Sequence, residues 1–222
     1  MDTLLLTNIH KSFDKRILLQ NVEFECKVGQ IIGVLGRNGC GKSTLLKMIF
    51  GTEKADTIGI KINSKVYTPK EIIPSRRIGY LPQVTFLPKD IMVRDIISVF
   101  FPNGELQDLI FYAPKVSSFE TTKVGNLSLG QLRYLELLLM GNLPHTFLLL
   151  DEPFSMIEPL YKEVIKEFLI ELKNSKGIIL TDHYYNDVLE ITTKNYVITD
   201  AQIVPILDKA DLVFYDYLRS YE

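Results

Sequence analysis

The sequence predicts an α/β domain with a mainly parallel sheet, and three observations carry that prediction. An apolar run ends in a glycine-rich loop that leads directly into a helical pattern over residues 31–50. Two more continuous apolar runs, at residues 147–150 and 177–180, each follow a helical segment. Such runs suit strands buried on both faces, as a parallel sheet covered by helices requires.

The first elements read as strands at residues 4–9, 22–26 and 31–35, separated by turn signals such as Val28-Gly29, and are expected to form an N-terminal sheet. A helix is predicted over residues 42–50, because Leu45, Leu46 and Ile49 share one helical face and Gly51 follows as a stop. Residues 58–67 and 77–81 read as further strands, and residues 93–101 and 106–112 as helices, so a helical insert is expected mid-chain. Helix at 129–140, strand at 147–150, helix at 161–173 and strand at 177–180 complete the alternation. The pattern after Asp200 is less readable.

Composition narrows the class. With 222 residues, 46% hydrophobic and 23% charged, the chain fits one large globular domain. The net charge of −2 comes from 25 basic against 27 acidic residues, and the basic ones are scattered, which argues against a nucleic-acid footprint. Residues 1–6 are acidic and then briefly apolar, unlike a secretory signal. No apolar run approaches the roughly 18–20 residues that cross a bilayer, so membrane contact is expected only through a partner. Cys26 and Cys40 have neither metal-ligand nor disulfide-framework spacing, and a reducing cytoplasm is expected. No repeat or low-complexity linker divides the chain.

Gly36-Arg37-Asn38-Gly39-Cys40-Gly41-Lys42-Ser43 fits G-x-x-x-x-G-K-[ST] and lies between a predicted strand and a predicted helix. In such a loop successive backbone N–H groups face the phosphates, and the helix N-terminus adds its positive dipole end. Lys42 is expected at the β- and γ-phosphates, the Ser43 hydroxyl on Mg²⁺, and Thr44 extends the same helix start. The apolar run at 147–150 ends in Asp151-Glu152, at a sheet edge where ligands usually bind. Two adjacent acids allow two roles: Asp151 for Mg²⁺, and Glu152 to orient or deprotonate the attacking water.

Asn126-Leu127-Ser128-Leu129-Gly130-Gln131 resembles the signature motif of ABC ATPases, some twenty residues before the acidic pair. The resemblance spans nearly the whole chain, from Phe13 through the phosphate loop, Gln83, the signature and Asp151-Glu152 to His183, in the family's order. It implies a RecA-like core with an antiparallel β subdomain (residues 1–83 and 136–222) and a helical subdomain (residues 84–135). It also implies ATP hydrolysis with Mg²⁺ in a head-to-tail dimer, either a homodimer or a heterodimer with a second ATPase domain. By that resemblance Phe13 stacks on adenine, Gln83 touches Mg²⁺ and the attacking water, and His183 bonds the γ-phosphate and positions Glu152. Ser128, Gly130 and Gln131 would serve the ATP of the partner domain. Transmembrane permease subunits would dock near residues 84–94 and hold the chain at the inner face of the cell membrane.

Two positions depart from the family. Leu129 stands where the first signature glycine is usual, and Ile157-Glu158 where the following loop usually ends in Leu-Asp. Both suit slowed hydrolysis or an asymmetric heterodimer, and both equally suit tolerated drift in an active homodimer. Cys40, beside Lys42 and loop amides, is expected to have a lowered thiol pKa, and its alkylation to block ATP binding. A soluble ABC ATPase acting on nucleic acid or ribosomes is an alternative, although such relatives usually carry two cassettes or a coiled-coil insertion, and this chain has neither. A slow nucleotide-dependent switch is suggested by Leu129 and Glu158 and opposed by Glu152 and His183.

Overall fold

The computed structural model describes residues 1–218, so residues 219–222 at the end of the expected domain lie outside the described residues. The chain opens with β1 (Thr3–Phe13) and β2 (Arg16–Lys27), a hairpin closed by Asp14 and Lys15, with Asp14 in the left-handed region at φ 52°. Then β4 (Thr57–Ile62) and β5 (Lys65–Tyr67) complete a four-stranded antiparallel sheet in the order β2-β1-β4-β5. The single strand expected over 58–67 is thus a hairpin, because Asn63 takes a left-handed φ of 54° that turns the chain.

The strand expected third in an N-terminal sheet lies elsewhere. β3 (Ile31–Gly36) is buried at every position and pairs in parallel with β8 (Gly177–Thr181) and β9 (Lys194–Thr199). With β6 (Ile78–Leu81), β7 (Phe147–Asp151) and an edge strand β10 (Gln202–Ile206), it forms a six-stranded sheet in the order β10-β9-β3-β8-β7-β6. Only the β9–β10 pairing in this sheet is antiparallel.

Both faces of this sheet are covered, which explains the continuous apolar runs. Ile31, Leu35, Leu148, Leu150, Ile178 and Leu180 point into one core, while Ile32, Val34, Phe147, Leu149 and Ile179 point into the other. The second core is closed by α1 (Lys42–Phe50) and the antiparallel sheet; the first by α5 (Leu129–Asn142), α6 (Pro159–Leu172) and α7 (Tyr185–Ile191). Between β5 and β6 lies α2 (Pro69–Ser75), started by a capping box in which Thr68 and Glu71 exchange hydrogen bonds. The mid-chain insert contains α3 (Val93–Phe100) and α4 (Gly104–Phe111), and α5 runs unbroken through residue 135 into the core. A last helix, α8 (Lys209–Phe214), follows β10.

α7 is pinned to α6 by ion pairs. Lys162 meets Asp187 at 2.8 Å, while Lys166 meets Asp187 at 2.9 Å and Glu190 at 2.6 Å. This network fixes the helix that follows the β8 turn.

Gly51 ends α1 at φ 88°, and its amide donates to the Lys47 carbonyl at 2.9 Å. A Cβ there would lie 2.3 Å from the Pro69 carbonyl oxygen at the start of α2. Gly51→Ala combines a left-handed penalty with a backbone clash, and should cost roughly 2–4 kcal/mol in denaturant unfolding. A loss below roughly 0.5 kcal/mol, the range of ordinary surface substitutions, would contradict this packing.

Candidate active site

The site is built along the carboxyl edge of the six-stranded sheet, where β3, β6, β7 and β8 all end. β3 runs into the loop 36–43, and α1 starts from Gly41, whose φ of 113° a β-carbon would disfavour. Lys42 is buried, with Nζ donating to the Gly36 carbonyl at 2.6 Å across the loop. A cleft of about 540 Å³ opens over this loop. Phe13, Arg16, Leu18, Asn38, Gly39, Gly41, Lys42, Ser43, Thr44, Gln83, Glu152 and His183 line it, from the first hairpin to the end of β8.

Asp151 and Glu152 leave β7 in different directions. Asp151 is 1% exposed and every oxygen is engaged: Ser43 Oγ at 2.9 Å and Thr181 Oγ1 at 3.0 Å donate to Oδ1, and the Tyr80 hydroxyl donates to Oδ2 at 3.1 Å. Burial, followed by the adjacent Asp151 charge, raises the Tyr80 pKa, so the phenol stays a donor. Glu152 takes a left-handed φ of 53°, its amide donating to the Thr181 carbonyl at 2.8 Å. That turn swings its carboxylate into the cleft. Gln83 Nε2 and Ser155 Oγ donate to Oε2 at 2.7 and 3.1 Å, and His183 Nε2 lies 2.7 Å from Oε1.

Asp182 organises the turn beneath His183. It accepts the amides of Phe154 at 2.7 Å, His183 at 2.7 Å and Tyr184 at 3.0 Å, and the Ser155 hydroxyl at 3.3 Å. Burial raises its pKa while the three amides pull it down. It thereby ties the Glu152–Ser155 turn to the His183 turn. Sequence reasoning named neither Asp182 nor Tyr80 nor Thr181 as site residues. The available signal was that β8, like β7, ends in an acid just past an apolar run.

Some expected residues lie apart. Arg37 and Cys40 turn behind the loop: the Arg37 guanidinium bonds the Asp216 carbonyl, and Cys40 lines a separate hollow with Tyr215 and Tyr217. Gly36, Arg37 and Cys40 do not line the cleft. Ser128, Gly130 and Gln131 do not line it either. Ser128 caps α5, its Oγ accepting the Gln131 amide at 3.2 Å while Gln131 Oε1 accepts the Ser128 amide at 2.9 Å. Leu129 is 58% exposed at the first turn of this helix, and the Glu158 carboxylate packs where a Gly130 Cβ would stand.

The expectation of a lowered Cys40 pKa is corrected. Burial behind the loop raises it and outweighs the Lys42 charge. Cys26 is buried and its thiol is pushed up to about 12.

A phosphate loop on a buried parallel strand, a carboxylate pair at the edge of the neighbouring strands and a cleft between them define a P-loop nucleotide hydrolase. A family model described as ABC transporter matches residues 19–155. The lipopolysaccharide export system ATP-binding protein of Haemophilus influenzae is 28% identical over 216 residues, covering 92% of this chain and 90% of its own length. Its Acidithiobacillus ferridurans counterpart is 26% identical over 208 residues, covering 89% and 86%. A nucleotide-free ATP-binding cassette from an ABC transporter matches with a TM-score of 0.83 at 23% identity, covering 99% of this chain and 96% of that one. The chain belongs to the ABC transporter family, as an ATP-binding, ATP-hydrolysing subunit.

Iodoacetamide should therefore label Cys40 more slowly than a free thiol at pH 7.5, with a rate still climbing through pH 9, because the neutral thiol dominates until its raised pKa is reached. A rate that levels off below pH 8 would contradict burial as the controlling effect. Mass spectrometry of the native protein reads the rate, and Cys26 should stay unlabelled.

Proposed function

We propose that this chain closes head to tail with a second copy, or with a second ATPase domain, around ATP and Mg²⁺, and that hydrolysis there drives separate transmembrane permease subunits. The Glu152 carboxylate carries this reading. It is bridged by Gln83 and His183, each at 2.7 Å, at the mouth of a cleft that Lys42 and Ser43 line.

The residues divide the work. The loop amides of residues 36–44 and the Lys42 ammonium bind the phosphates, and half-exposed Phe13, at the tip of the first hairpin, stacks on adenine. Glu152 orients a water and accepts its proton, while His183 and Gln83 fix the carboxylate and exclude bulk solvent from it. The donor set fits Mg²⁺: Ser43 and Asp151 present hard oxygens 2.9 Å apart, and the Gln83 amide faces the same cleft. Ser43, Asp151 and Gln83 would hold the ion, which would supply positive charge against the transferred phosphoryl group.

Ser128, Gly130 and Gln131 stand outside this chain's own cleft, which supports their service to the partner's nucleotide. Leu129, Met156 and Leu160 are exposed apolar side chains that such a partner would cover. Residues 84–94, with Val84 and Phe86 exposed, are the proposed permease contact. Among the described residues no helix is long and apolar enough to cross a membrane, so attachment to its inner face would run through those subunits.

Mixing two disabled chains tests the head-to-tail arrangement. Leu129→Asp puts a charge beside the partner's phosphates while favouring its own helix start, and Lys42→Ala removes the phosphate cation. Each alone should lose at least about 90% of turnover, the scale of losing one positioned polar contact. Their mixture should regain activity well above the sum of the two, because one intact composite site re-forms. A mixture that stays at the sum would refute the arrangement.

A further inference from the structure

Arg133 and Glu136 are charged residues on a helix otherwise packed into the core, at 7% and 2% exposure. Neither belongs to the phosphate loop, the acidic pair or the signature. The guanidinium donates through Nη1 to the Pro82 carbonyl at 2.7 Å and to Glu136 Oε2 at 3.3 Å, and through Nη2 to the Asp151 carbonyl. Those two carbonyls belong to the peptide units that lead into Gln83 and Glu152. Glu136 Oε1 accepts the Phe86 amide at 3.2 Å, three residues past Gln83.

The strand register explains why one side chain reaches both. β6 and β7 pair in parallel, and the last matched residues are Leu81 and Leu150. Pro82 and Asp151 therefore emerge side by side just past the ladder, where the guanidinium replaces the sheet's hydrogen bonding. The planar guanidinium reaches the two carbonyls through separate nitrogens, Nη1 and Nη2, in a fixed fork that the single ammonium nitrogen of a lysine does not reproduce. A charge this deep also needs its partners to be tolerated, and Glu136 supplies the countercharge.

We propose that Arg133, with Glu136, is a positioning residue for hydrolysis: it sets the contact between Gln83 and Glu152 by gripping the peptide ahead of each. Because Arg133 sits on α5 about one and a half turns past its Ser128 cap, it also carries movement of the signature helix to the hydrolytic carboxylate of the same chain. In a head-to-tail dimer the arrival of the partner's ATP at Ser128–Gln131 would thus be felt at Glu152, linking the two sites through one buried ion pair. The inference rests on the reading of Glu152 as the carboxylate that activates water.

Arg133→Lys, Arg133→Met and Glu152→Gln, each in the full chain, test it through ATP affinity, kcat, KM, thermal midpoint and amide hydrogen exchange. Arg133→Lys should bind ATP within about twofold of the parent and lose about tenfold or more in kcat with little change in KM. Exchange should rise over residues 82–86 and 150–153 while the phosphate loop keeps its protection. Arg133→Met should lose more; if it does not fold, the lysine variant, which keeps the charge but not the planar fork, decides. Unchanged kcat and exchange in folded Arg133→Lys would overturn the proposal, and so would loosening spread evenly over the domain with an equal loss of affinity. Full turnover in Glu152→Gln would instead overturn the role of Glu152, on which the proposal stands.

Discussion

Two consecutive carboxylates leave β7 in opposite senses, and the site depends on the backbone turn that separates them. A strand already sends alternate side chains to opposite faces. Here the left-handed φ of 53° at Glu152 adds a break in the strand itself, held by the hydrogen bond that its N–H donates to the Thr181 carbonyl. A non-glycine residue in that region is strained by about 1–2 kcal/mol, which the surrounding contacts must offset. Asp151 stays buried among hydroxyl donors, and Glu152 reaches the cleft. Asp182 and Ser155 brace the turn from below, so the β7 and β8 ends behave as one unit.

Much of this was legible in the sequence because the relevant signals are local. The phosphate loop shows its glycines and lysine in order, and runs such as Phe147–Asp151 are apolar because both faces of the sheet are covered. The partition into two sheets was not legible. β3 has a strand pattern that fits either sheet, and only its parallel pairing with β8 and β9, far along the chain, places it centrally. The Asn63 turn and β9, β10 and α8 were missed for related reasons: short or half-exposed elements have weak periodicity. At the site, roles carried by a motif were readable one by one. Those carried by contact, such as Tyr80 on Asp151 or Asp182 on three amides, are visible only once the strands are side by side. Cys40 shows the limit most clearly, because sequence puts it beside Lys42 while the fold turns it, half-buried, into a separate hollow where desolvation dominates.

The departures at Leu129 and Glu158 now have surroundings. Leu129 projects outward without disturbing the Ser128 capping box, and the longer acid at Glu158 lies against Gly130 in the same chain. Both residues therefore lie outside the chain's own cleft and leave it intact. The chain's own phosphate loop, acidic pair and histidine are assembled in hydrogen-bonding order, which favours a hydrolase over a passive switch.

Turnover by the purified chain, followed across protein concentration beside Glu152→Gln and with ATP binding measured in the same samples, is the most direct test. The account predicts activity that rises more steeply than protein concentration, and a Glu152→Gln chain that binds ATP normally but turns over about 100-fold more slowly or less. Activity strictly proportional to concentration, or Glu152→Gln turning over like the parent, would contradict it.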